Sequence, residues 1–188
     1  MANIDIPINQ LHELEKQFEA SITKALTAGK GSGPFVPQRN NQTGRIDNVV
    51  IIEIPELLLD KNNRPLSIYD RTRSAKVMNS DRARQLDHVL ALYNGVIVAD
   101  FVPIKWNNQR VAVSDRKLVV SPKKKSYRIV AIPPRPIDNR HEFIPKSIKG
   151  EQGSPYVGMT FNNDCRSTIR YFDADNNYGG LITPASHP

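Results

Sequence analysis

Apolar positions follow two different rhythms along the chain. Leu11, Leu14, Phe18, Ile22, Ala25 and Leu26 recur at helical spacing, while Glu13, Glu15, Lys16 and Lys24 occupy other faces. That pattern predicts an amphipathic helix with Gly29 as its stop. Residues 49–54, Val-Val-Ile-Ile-Glu-Ile, are apolar and β-branched almost throughout, and Pro55 closes the run, which predicts a buried strand. Two more apolar runs, His-Val-Leu-Ala-Leu-Tyr and Val-Ile-Val-Ala-Asp-Phe-Val, flank Asn94-Gly95. A two-residue type I′ turn needs positive φ at both central positions, and Asn and Gly tolerate that best. The pair therefore predicts a β-hairpin with residues 89–93 antiparallel to residues 96–100.

Weaker signals fill in the rest. Residues 110–113, 117–120 and 127–132 are strand candidates, the last ended by Pro133, Pro134 and Pro136, because proline lacks the donor that a ladder requires. Residues 156–161 and 168–172 are read as final strands, and Ser80 as the cap of a short helix through Arg84. Residues 68–76 show no clean period, and residues 29–44, rich in Gly, Pro, Asn and Gln, read as a linker or a long ordered loop. The sum is an α+β fold, a mainly antiparallel small β-barrel or strongly curved sheet with flanking helices, since closure removes unpaired edges. Three segments follow: a helix and linker over residues 1–33, the α+β domain over 34–178, and a tail over 179–188. The helix is expected to pack on the domain, the alternative being a second copy, as a homodimer arm.

Charge points to a class of partner. Lys and Arg exceed Asp and Glu by seven, which favours a polyanion such as nucleic acid or a nucleotide over a basic partner. Cys165 is the only cysteine, so no intrachain disulfide or cysteine-rich zinc site is expected, and a reducing compartment fits. With no basic leader followed by an apolar run and no long apolar segment, the expectation is a cytoplasmic protein without a membrane partner.

Candidate contacts to a polyanion concentrate in Tyr69, Arg71 and Arg73, with Arg82 and Arg84 downstream. Guanidinium groups neutralise phosphates and read guanine edges, while an aromatic ring stacks on a base. Asp70 and Asp81 are the internal partners that would instead make this a solvated surface. Trp106, between Lys105 and Asn107, is placed at a pocket rim, whereas Tyr93, Tyr156 and Tyr171 are better read as core aromatics. Lys123, Lys124 and Lys125 are most simply a turn that blunts a strand edge. His12, His88, His141 and His187 are scattered without metal-ligand spacing. Asp87 and His88 are adjacent in a strand and so point to opposite faces. No glycine-rich phosphate loop or nucleophile elbow occurs, so catalytic residues and cofactors are not assigned.

Ile68-Tyr69-Asp70-Arg71-Thr72-Arg73, the segment 90–98 with Trp106 beyond it, and Tyr156-Val157-Gly158-Met159 with Ile169-Arg170-Tyr171 together resemble an uncharacterised bacterial family. That family is associated with PUA-like and EVE-like barrels and with restriction and defence components. Its members carry a tryptophan shortly after the Thr-Arg pair, where this chain has Ser74-Ala75-Lys76-Val77. The resemblance implies a small barrel that binds RNA or modified DNA bases in a cleft, a fold-level analogy. The alternatives are a phage or defence factor acting on a protein through its basic face, and a GIY-YIG-like nuclease. The nuclease alternative rests on Tyr156-Val157-Gly158-Met159-Thr160 with Arg166, but no glutamate follows Arg166.

Overall fold

A computed structural model describes residues 6–54, 58–60, 62, 64–73, 85–107, 117–120, 128–131, 142–148, 153–163 and 169–172. The predicted amphipathic helix is α1 (Ile8–Thr27), with Pro7 at its N-cap position and Gly29 just past its end. A first strand, β1 (Val49–Glu53), is followed by β2 (Leu58–Leu59) and a short helix, α2 (Ile68–Arg73). The hairpin comprises β3 (His88–Tyr93) and β4 (Val96–Asn107). Beyond it come β5 (Lys117–Val120), β6 (Arg128–Ala131), β7 (Glu142–Ile148) and β8 (Ile169–Phe172).

The strands form an open mixed sheet in the order β7-β4-β3-β1-β8, and a second sheet in the order β2-β5-β6. This corrects the expected mainly antiparallel, PUA-like barrel. β1 and β3 run parallel, Val49 opposite His88 through Glu53 opposite Leu92, and the sheet ends at β7 and β8 without closing. The two central strands carry side chains buried on both faces, so they read as continuous apolar runs instead of alternating ones. A parallel pair needs a crossover rather than a tight turn, and residues 54–87 supply it.

On one face, Leu11, Leu14, Phe18 and Ile22 of α1 pack against Val50, Ile52, Val89, Ala91, Tyr93 and Phe101. The apolar stripe of the helix is thus consumed within the chain's own core. On the other face, Val49, Ile51, Leu90, Leu92, Ile97 and Phe172 of the strands pack with Tyr156, Met159 and Phe161, and Phe35 packs against them. The cover here is not a pair of strands. Residues 156–161, expected to be a strand, form a turn in which Thr160 bridges Pro34 and Val96. Residues 29–35 pair irregularly with this turn, Gly31 N–H donating to Val157 O at 2.8 Å and Phe35 N–H to Thr160 O at 2.7 Å. The glycine-rich stretch is therefore an ordered loop.

The hairpin turn falls where its sequence places it, with φ of 47° at Asn94 and 76° at Gly95. Tyr93 pairs with Val96 and Leu92 with Ile97, but Ala91 pairs with Ala99, so Val98 is an extra residue. Helix α2 lies in the stretch without a clean period. Ser67 Oγ accepts from Asp70 N–H at 3.0 Å and donates to the Asp70 carboxylate at 2.8 Å, a reciprocal cap visible in the Ser67 to Asp70 spacing. Strand candidates 117–120, 127–132 and 168–172 appear as β5, β6 and β8, while 110–113, the Ser80 to Arg84 helix, the lysine run and the tail lie outside the described residues.

Candidate functional site

Two of the expected ligand contacts belong to the core. Arg71 is 0 % exposed: its guanidinium lies 3.7 Å from the centre of the Phe18 ring, and its Nε donates to Leu66 O at 3.1 Å. Burial lowers its pKa to about 10, which leaves it protonated at neutral pH and useful as a brace between α2 and α1. Tyr69 is half-buried with its ring 5.7 Å from that of Phe101. Arg73 is the last residue of α2, and Trp106 pairs through its backbone with Phe143 of β7. The side chains of Arg73 and Trp106, and the whole of Arg82 and Arg84, lie outside the described residues.

The structure instead assembles a polar cluster that sequence patterns do not indicate. His88 Nδ1 lies 2.8 Å from Asp100 Oδ1 and His88 Nε2 lies 3.3 Å from Asp47 Oδ2. Ser154 Oγ donates to Asp100 Oδ2 at 2.8 Å, and accepts from Tyr156 N–H at 3.1 Å. The Tyr156 hydroxyl donates to Asp47 Oδ2 at 2.8 Å and accepts from Gln38 N–H at 3.0 Å. All five side chains are buried.

The bulge in the hairpin makes the cluster possible. In an uninterrupted hairpin closed by Asn94-Gly95, Asp100 would stand opposite Val89 and share its face. The extra residue shifts the register so that Asp100 stands opposite Leu90, on the face that also carries His88. Asp87, the chain neighbour of His88, is engaged elsewhere, accepting from Asn48 N–H at 2.8 Å and pairing with Arg45 at 2.8 Å. The signal that would reveal the cluster is the bulge, which no residue in the hairpin announces.

The cluster has the ingredients of nucleophilic catalysis in the wrong order. Its serine hydroxyl donates to the Asp100 carboxylate rather than to the imidazole, and the residue is only 3 % exposed, so the arrangement differs from that of a serine activated by histidine. Among the described residues no group of three or more His, Cys, Asp or Glu side chains is arranged to hold a metal ion. What the cluster does is fasten both loops of the covering layer, through Asp47 and Gln38 on one side and Ser154 and Tyr156 on the other, to the two strands of the hairpin.

Burial, and then the neighbouring Asp47 carboxylate, push the Tyr156 phenol far above its ordinary range. The unfolded chain releases that proton near pH 10 and the folded chain keeps it, so above about pH 10 the folded state binds more protons and stability falls as pH rises. Arg71, with its lowered pKa, acts in the opposite sense over the same range. Urea unfolding followed from pH 8 to 11 separates them: on going to pH 11, stability should change more favourably in Tyr156→Phe than in the wild type, since Arg71 is present in both.

In the chain, the cluster's Asp47 is preceded by a stretch of one charge sign. Between Glu19 and Asp47 there is no acidic residue, while Lys24, Lys30, Arg39 and Arg45 are all exposed. Asp47, which ends the stretch, is 5 % exposed and turned into the cluster. Within it, residues 39–46 make a small exposed turn closed by an antiparallel bridge between Arg39 and Ile46. Comparison with family models, with curated proteins and with solved structures returns no match.

Proposed function

We propose that this protein binds nucleic acid through an exposed basic surface. The observation that carries this is the acid-free stretch 20–46, whose four cations face solvent while the described residues offer them a single paired carboxylate, Asp87 on Arg45. Exposed cations in excess of their carboxylate partners lower the potential energy of a polyanion beside them and release its counterions on contact. The sequence adds Arg82 and Arg84 shortly before Gln85, whose carbonyl accepts from the Asn48 side chain at 3.1 Å, next in sequence to Asp47. No helix among the described residues is long and apolar enough to cross a membrane, and the single cysteine suits a reducing, cytoplasmic setting.

The test is a titration of duplex, single-stranded and modified-base oligonucleotides at several salt concentrations. Binding should weaken steeply with salt, each phosphate contact adding about −0.9 to the slope of log affinity against log salt for duplex DNA. If no oligonucleotide binds at low salt, the nucleic-acid function is wrong and an acidic protein becomes the partner to seek.

A further inference from the structure

We infer that the turn at residues 39–46 is the element that meets nucleic acid, entering the major groove of duplex DNA, an assignment that rests on the nucleic-acid function proposed above. Its exposed side chains are Arg39, Asn41, Gln42, Thr43 and Arg45. Guanidinium groups bond the guanine O6 and N7 edge, and Asn or Gln amides bond the adenine N6 and N7 edge, so the turn carries both commonest donors of base recognition. The side-chain amides of Asn41 and Gln42 make no hydrogen bond within the chain among the described residues, so binding a base would sacrifice no internal contact.

The turn is held in shape before any ligand arrives. Asn40 Oδ1 accepts from Gln42 N–H at 2.8 Å and from Thr43 N–H at 3.2 Å, and Asn40 O accepts from Gly44 N–H at 2.8 Å. The Arg39 guanidinium donates to Gly44 O, and that of Arg45 is held by Asp87. At the base, Asp47 N–H donates to Gln38 O at 2.9 Å, and Gln38 and Asp47 are both tied to the buried Tyr156 hydroxyl. A preorganised tip loses little conformational entropy on binding, which leaves more of each contact as affinity.

Composition selects the duplex. The turn is closed by a single antiparallel bridge between Arg39 and Ile46, and the guanidinium and amide groups that it exposes match the guanine O6/N7 and adenine N6/N7 edges, which a duplex presents in its major groove. Single strands are held chiefly by aromatic side chains that stack on bases, and residues 39–46 contain none.

The test compares full-length variants by fluorescence anisotropy on a labelled DNA duplex and on the matching single strand. Gln42→Glu places one negative charge at the tip without removing an internal side-chain bond. Lys16→Gln makes the same change of net charge at an exposed position of α1. The expected result is that Gln42→Glu weakens duplex binding by about tenfold and Lys16→Gln by much less. Arg39→Gln with Arg45→Gln should flatten the salt slope by about two; if that pair unfolds, as circular dichroism would show, the Gln42→Glu comparison decides alone. Equal weakening by Gln42→Glu and Lys16→Gln, or tighter binding to the single strand, would overturn the assignment while leaving the nucleic-acid function standing. A wild type that binds neither probe would remove the function itself.

Discussion

Asp100→Ala should be among the most destabilising single substitutions in the described part of this chain, at a cost on the order of 3 kcal/mol in urea unfolding. Asp100 is fully buried and accepts from two sides, His88 on Oδ1 and Ser154 on Oδ2. Removing it strands an imidazole nitrogen and a hydroxyl in a space closed to water, and an unpaired buried polar group costs more than a formed bond contributes. A loss of this size is a large share of the stability of an ordinary domain, roughly 5 to 15 kcal/mol. Asp100→Asn should cost clearly less. Its carbonyl can still face His88, and its amide can donate to Ser154, whose hydroxyl rotates to accept. An Asp100→Ala protein within about 1 kcal/mol of wild type would show that the cluster does not fasten the loops to the hairpin.

Gly158→Ala should rival that effect by a different route. Gly158 has φ of 102°, and a Cβ built there would lie 2.4 Å from the backbone oxygen of Gly31. Both loops of the covering layer would have to separate, breaking the 2.8 Å bonds from Gly31 N–H to Val157 O and from Gly158 N–H to Ile97 O. Backbone strain and overpacking act together, for a loss of about 3 kcal/mol. Gly33→Ala is the control, with φ of 71° and open space around its Cβ, so it should show only the backbone term, about 1 to 2 kcal/mol. Thermal unfolding of the two variants checks the difference. If Gly158→Ala costs no more than Gly33→Ala, the close approach of the loops is not a constraint on stability.

Both effects arise in the layer of loops that sequence patterns describe least well. Apolar spacing identifies α1 because a helix buries one stripe against one surface, and Leu11, Leu14, Phe18 and Ile22 are that stripe. Asn94-Gly95 identifies the hairpin because positive φ is a property of the residues themselves. The Ser67 to Asp70 cap is equally local, but α2 is too short to show a period that would draw attention to it.

Function is harder to place because it depends on what a side chain faces. Arg71 and Tyr69 have the chemistry of nucleic-acid contacts, yet one lies over Phe18 and the other against Phe101. Arg39 and Arg45, in a stretch whose composition reads only as a linker or ordered loop, are the exposed ones.

By itself, then, the sequence determined the elements whose signals are carried within a few consecutive residues: the amphipathic helix, the apolar strands, the hairpin turn and the excess of positive charge. Tertiary structure alone decided that β1 lies parallel to β3, that the sheet stays open, and that loops rather than strands cover its second face. It also decided, through one extra residue at Val98, that Asp100 meets His88. The physical reason is that pairing between distant strands is set by the total burial of both sheet faces, and a bulge is tolerated where it turns a carboxylate toward donors that would otherwise be buried unpaired.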